Sequence, residues 1–218
     1  MRFFCFRRRQ NQMRTASPDL HGNAPENSSV ALLLVDTIND LEFPGGEKLL
    51  KPAMKMARNL AALKARLRKH GIPAIYVNDN FGRWTSDFRF LVDHCLNDNV
   101  RGRALAQSLH PIESDYFVLK PKHSGFFSTT LELVLKYINV STLIIGGLTT
   151  DVCVLFTAND AYMRDYRLFV PSDCVASADI REHRASLHYM SRVLGADVRS
   201  STGPHFSALL RRLGRPRP

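Results

Sequence analysis

Val30-Ala-Leu-Leu-Leu-Val35 is followed at once by Asp36. Six apolar residues in a row offer no polar face, so a strand built from them must be covered on both sides. A strand covered on both sides belongs in a parallel sheet between helices. The question is whether the rest of the chain supplies them.

It does, in alternation. Lys51 to His70 reads as a helix, with Met56, Leu60, Leu63 and Leu67 on one face. Gly71 closes it and Pro73 prevents its resumption. Ala74-Ile-Tyr-Val77 is a second strand, and Phe88 to Cys95 and Arg103 to Leu109 read as helices. Tyr116-Phe-Val-Leu119 is a third strand. Thr129-Thr-Leu-Glu132 has the pattern of a capping box and opens a helix to Ile138. Thr142-Leu-Ile-Ile145, ending in Gly146-Gly147, is a fourth strand, and a helix follows from Val152 to Asp165. Leu168-Phe-Val170 is a fifth strand. Asp179-Ile-Arg-Glu182 caps a helix to Leu194, and Ala196 to Arg199 is a weak sixth strand. The expected fold class is α/β: a three-layer αβα sandwich around a six-stranded parallel sheet, Rossmann-like in topology.

The chain has 218 residues and a formal charge of +10. Residues 1–28 carry five arginines against two acids, and residues 205–218 carry four arginines and no acid. Most of the excess therefore lies at the ends. The expected organisation is a basic tail over 1–28, one domain over 29–204 and a basic tail over 205–218. A nucleic-acid groove would spread its cations over one face of the fold, so specific nucleic-acid binding is not expected. No apolar run approaches the ~18 residues of a membrane span, and Phe3 to Phe6 is too short for a signal-peptide core. A cytoplasmic protein with reduced thiols is expected. Its four cysteines, at 5, 95, 153 and 174, form no C-x-x-C pair.

Ligands of parallel sheets bind beyond the carboxyl ends of the strands. Asp36 ends the first strand, Lys120 ends the third, and Cys153 follows the fourth by a short turn, in the first turn of the next helix. Singly, each has an ordinary reading: a turn residue, a solvated lysine, a small core side chain. Together they fall at one edge of the sheet and make chemical sense. A helix N-terminus and a nearby ammonium favour a thiolate, and a carboxylate beside the thiol can take its proton. The N–H groups of the turn could hold an oxyanion.

Three blocks carry a resemblance. They are Asp36 after its apolar strand, Val118-Leu-Lys-Pro-Lys-His-Ser-Gly-Phe-Phe127, and Gly147-Leu-Thr-Thr-Asp-Val-Cys-Val154 with Thr157-Ala-Asn-Asp-Ala161. Over residues 30–200 the chain resembles the isochorismatase-like cysteine hydrolases, a superfamily that includes nicotinamidases and N-carbamoylsarcosine amidohydrolase. The resemblance implies a catalytic triad of Asp36, Lys120 and Cys153. It also implies a cis peptide between Leu148 and Thr149, an oxyanion hole from the Thr149 and Cys153 N–H groups, and a homodimer or homotetramer. Lys120 rather than Lys122 matches the family lysine, since it stands four residues before Ser124-Gly125-Phe126.

Nicotinamidases carry an Asp-x-His metal motif after the second strand. Here that stretch is Asn78-Asp-Asn-Phe-Gly-Arg-Trp84, without histidine, and Asp79 reads as a turn residue. No metal and no other cofactor is expected. The expected activity is hydrolysis of a small amide, N-carbamoyl or related carbonyl compound. Asp36 takes the thiol proton, Cys153 forms a thioester, and Asp36 returns the proton to the leaving amine and activates the resolving water. Phe43, Trp84, Phe126 and Phe127 are candidate pocket walls. Two alternatives stand beside this reading: an isochorismatase-type hydrolase of a vinyl ether, in which Cys153 is incidental, and a non-catalytic fold member whose basic tails bind a partner.

Overall fold

The computed structural model describes residues 28–82 and 87–204, together with Phe206 and Ala208. Trp84, Cys5 and nearly all of both expected tails lie outside the described residues. Five strands form a parallel sheet in the order β3-β2-β1-β4-β5: β1 (Val30–Val35), β2 (Ala74–Asp79), β3 (Tyr116–Lys120), β4 (Thr142–Leu148) and β5 (Arg167–Phe169). A sixth strand, β6 (Val175–Ala176), pairs with the far end of β4.

The apolar run of β1 is central, and its alternate residues feed two cores. Leu32 and Leu34 face the core under α1 (Gly46–Arg68), α2 (Phe88–Asn97) and α3 (Arg103–Ser108). Ala31, Leu33 and Val35 face the core under α4 (Leu131–Tyr137), α5 (Leu155–Tyr162) and α6 (Ile180–Val193). All six β1 residues are buried, as a strand covered on both faces requires. The predicted stripe Met56, Leu60, Leu63 and Leu67 is also buried. Among the described residues no helix is long and apolar enough to cross a membrane.

Four elements differ from their expected form. Helix α1 begins at Gly46, not Lys51, and takes Pro52 into its interior. It starts at the Phe43–Gly46 turn, where a Cβ on Gly46 would lie 2.1 Å from the Leu41 carbonyl oxygen. The capping box at Thr129 does not form. The cap residue is Thr130, Thr129 accepts from the Leu131 N–H, and Glu132 turns outward to Lys136 and Arg164. Ala196 to Arg199 contributes only a single bridge, Phe169 with Asp197. The chain leaves β5 through Pro171, which has no N–H for a ladder, and rejoins β4 as β6. The core also extends past residue 204, to Phe206, which packs with the Arg66 guanidinium 5.6 Å from its ring centre.

Gly147 lets β1 and β4 come together at their carboxyl ends. Its φ is +125°, and a Cβ there would lie 2.0 Å from the Val35 carbonyl oxygen. Backbone cannot yield as a flexible side chain can. Gly147→Ala should therefore cost more than ~3 kcal/mol, near the top of the range for single substitutions. Gly195→Ala, also at positive φ but facing open space, should cost only about 1 kcal/mol. Urea unfolding of both variants measures this, and equal losses would mean that close approach at Gly147 does not limit the fold.

Candidate active site

Parallel register brings the carboxyl ends of β1, β2 and β3 level: Val35 pairs with Val77, and Asp79 with Lys120. Asp36 is the first residue past β1. Its N–H still donates to Val77 O at 3.0 Å, but its φ of +48° turns the chain out of the sheet. Aspartate tolerates that region better than most residues. Its carboxylate is held on both oxygens. Oδ1 accepts the Asp79 N–H at 2.7 Å, and Oδ2 pairs with Lys120 Nζ at 2.9 Å. Lys120 is completely buried. Its ammonium also lies 3.4 Å from Asp79 Oδ2 and 3.5 Å from Cys153 Sγ.

The thiol arrives from the other side. The Leu148–Thr149 peptide is cis. After it the chain makes a π-helical turn, Thr150–Val154, that runs into α5. The Thr149 carbonyl accepts from the N–H groups that flank Cys153, those of Val152 (3.2 Å) and Val154 (3.1 Å). Buried Thr150 meets His183 Nδ1 at 2.9 Å, and Ser177 donates to Asp151 Oδ1 at 2.6 Å, so α6 and the segment just after β6 both brace the turn.

The two longer sequence blocks brace each other. Ser124 donates to Asp160, and the Gly125 N–H donates to Thr157 Oγ1 at 3.0 Å. A Cβ at Gly125 would lie 2.7 Å from Val77 Cγ1. The segment after Lys120 is thereby fixed against α5, the helix that continues from Cys153. Between these anchors sits His123, whose Nδ1 is 3.9 Å from Cys153 Sγ.

Burial dominates the electrostatics. It raises the Asp36 pKa above the ordinary carboxylate range, and Lys120 only partly offsets this. It raises the Cys153 pKa strongly as well, with the charge of Asp36 adding to the effect and Lys120 opposing it. For Lys120, burial works against the ammonium, but Asp36, Cys153 and Asp79 outweigh it and hold the pKa above the usual amine value. The three groups are thus tuned against one another. Lys120 favours the thiolate, as expected, while burial and the Asp36 charge work against it.

A cavity of about 210 Å³ adjoins this group through Asp79. Phe43 lines it, together with Phe81, Phe90 and Leu119. His94 forms part of its wall, bridging Asp98 at 2.7 Å and Asp40 at 3.2 Å; both hydrogen bonds raise its pKa, that to Asp98 first. Phe126 is instead a core residue beneath α4 and α5, its ring 6.0 Å from that of Tyr166. Phe126 is not among the residues that line this cavity, contrary to expectation. Phe127 is exposed. Among the described residues no group of three or more His, Cys, Asp or Glu side chains converges where a metal ion could be held.

Reading the sequence missed Asp79, His123 and His183 as neighbours of the site. Asp79 does make the expected turn, its Oδ1 accepting the Phe81 N–H at 2.6 Å, but its other oxygen faces Lys120. Its place beside Lys120 in the register was the available signal. His123 stands inside a quoted block. Nothing in the sequence marked His183.

Comparison with known proteins agrees with this architecture. The Isochorismatase domain family matches residues 30–202. An uncharacterized isochorismatase family protein, YaaI of Bacillus subtilis, is 40% identical over 168 residues, 77% of this chain and 92% of that protein. The crystal structure of N-carbamoylsarcosine amidase from Thermoplasma acidophilum is 29% identical with a TM-score of 0.57, covering 80% of this chain and 98% of that one. A pyrazinamidase/nicotinamidase from Streptococcus mutans is 27% identical with a TM-score of 0.61, covering 78% and 99%. With Asp36 and Lys120 buried beside a partly exposed Cys153 at the sheet edge and a family match across most of its length, the chain belongs to the isochorismatase family of hydrolases.

Proposed function

We propose that the chain is a cysteine hydrolase of small amides, N-carbamoyl compounds or related carbonyl compounds, acting through a thioester at Cys153. The observation that carries this reading is the contact of one buried ammonium, Lys120 Nζ, with both Asp36 and Cys153. Asp36 takes the thiol proton as sulfur attacks the carbonyl carbon. Its raised pKa makes it a stronger base than an ordinary carboxylate. Lys120 keeps the pair aligned and offsets the negative charge that passes from one to the other. The flanking amides of the π turn are already bonded to Thr149 O. The Cys153 N–H between them, with that of Thr149, is assigned to the oxyanion. The likeness to an N-carbamoylsarcosine amidase and to a pyrazinamidase/nicotinamidase supports cleavage of a C–N bond. A vinyl-ether substrate would leave the ammonium-bound thiol without a task.

Three outcomes follow. Brief, limiting iodoacetamide treatment of folded protein should label Cys153 before Cys95 and Cys174. The latter two are buried, whereas Cys153 is partly exposed. Peptide mass mapping reads the order, and prior labelling of Cys95 or Cys174 would sink the assignment.

Asp36→Asn should lower kcat by at least ~10² with the fold retained by circular dichroism. The wild-type enzyme should lose kcat/KM as pH falls through the raised pKa of Asp36, because protonation removes the base. That acid limb should lie above the 3.8 of an ordinary aspartate. A limb at or below that value, or near-normal turnover by the variant, would take Asp36 out of the reaction.

Exhaustive chelation should leave turnover unchanged, since the chemistry proposed here uses only protein groups. Loss of activity that returns with one equivalent of a metal would contradict it.

A further inference from the structure

We propose that His123 is a second proton-transfer residue of this site, serving the departing amine and the incoming water while Asp36 serves the sulfur. The proposal rests on the thioester reading above. Cys153 Sγ is met from two sides. Buried Lys120 lies 3.5 Å from it, and Asp36, paired with Lys120, hydrogen-bonds the thiol. On the solvent side exposed His123 places Nδ1 at 3.9 Å, within the reach of a sulfur contact. The imidazole is not a loose surface group. Lys120 ends β3 three residues before it, Ser124 and Gly125 are tied to Asp160 and Thr157 just after it, and its ring sits 5.5 Å from that of Phe156.

Amide hydrolysis through a thioester moves protons at two places. One leaves the sulfur as it attacks and returns when the thioester breaks. The other must reach the nitrogen, because an amide anion is a very poor leaving group, and must later be taken from water. Asp36 is placed for the first task, on the buried side of the sulfur. It is 5% exposed, with one oxygen bonded to the Asp79 N–H and the other to Lys120. The departing nitrogen is one bond beyond the carbon that sulfur attacks. On the open side of the thiol it falls within reach of the His123 ring.

The steps balance as follows. The thiol proton passes to Asp36, the C–S bond forms, and the C–N bond breaks as nitrogen takes a proton from the His123 imidazolium. Water then gives a proton to neutral His123 and its oxygen attacks the thioester carbon. The C–S bond breaks, and sulfur recovers its proton from Asp36. The acid is released with Asp36, His123 and Cys153 as they began. This reassigns the two leaving-side transfers that the sequence reading gave to Asp36.

The probe is p-nitrophenyl acetate, whose leaving group needs no proton. In His123→Ala, release of the first equivalent of p-nitrophenolate should stay within about threefold of wild type. The water step should slow by ~10², and acetyl-Cys153 should accumulate by intact mass. Added imidazole should restore turnover, because the vacated position is open to solvent. His123→Gln should repeat the defect, and circular dichroism checks both folds. Steady-state turnover as fast as wild type in both variants would overturn the proposal. So would a defect that imidazole cannot relieve, which would mark a structural role. A different result would defeat the underlying reading instead: no acetyl group on Cys153 in any variant, with Cys153→Ser as active as wild type.

Discussion

An ammonium with no exposure to solvent is the constraint on which this site depends. Taking such a cation out of water costs several kcal/mol even after the protein relaxes, and only close, well-placed acceptors compensate for it. Lys120 finds them in three separate segments: Asp36 after β1, Asp79 at the end of β2 and Cys153 in the turn after β4. The carboxyl ends of the strands must therefore stay level to within an ångström or so. The surrounding details serve that alignment. Asp36 accepts a left-handed backbone so that its carboxylate turns back over the sheet edge, and the Asp79 N–H fixes it there. Gly147 lets β4 approach β1 closely enough to deliver the cysteine.

The same burial decides the state of the thiol. A helix terminus contributes about 0.3–1 kcal/mol to a nearby charge and fades within a turn. Desolvation can move a buried group by several pKa units. Here the turn is also not an open helix start, since two of its N–H groups already donate to Thr149 O. The neighbouring carboxylate adds to the cost of a thiolate. Burial and the neighbouring carboxylate therefore hold the Cys153 thiol pKa up, against the pull of Lys120.

Much of the architecture was legible from residue pattern. Val30–Val35 could only be a strand covered on both faces, and the spacing of apolar residues between Met56 and Leu67 could only be one face of a helix. Asp36, Lys120 and Cys153 were found because a parallel sheet carries its strand ends to one edge. What escaped detection depends on packing between distant segments. Whether Asp79 faces solvent or a lysine depends on the register of β2 against β3. Where the sixth strand lies depends on the chain leaving β5 at Pro171 and rejoining β4 at Val175. The start of α1 depends on how closely Gly46 passes Leu41. Phe126 looked like a pocket residue because it stands next to reactive ones, yet adjacent residues of a tight turn point to opposite sides. Its neighbour Phe127 is exposed while Phe126 fills the core.

The two sequence blocks that carried the resemblance turn out to be one structural unit. Ser124 and Gly125 grip Asp160 and Thr157, two turns or less beyond the cysteine, so the lysine segment and the cysteine helix form a single clamp. A clamp of that kind fixes more than the lysine. It also fixes whatever lies between Lys120 and Ser124, and in this chain that includes an imidazole on the open side of the thiol. The site therefore has two faces of different character. The buried one holds a cation and a carboxylate at constant hydration. The exposed one must admit a substrate, release an amine and receive water. Groups that hand protons to solvent-borne species belong on the second face, where solvent reaches them, as it reaches exposed His123. That asymmetry in hydration is the physical reason to divide the proton transfers between two residues.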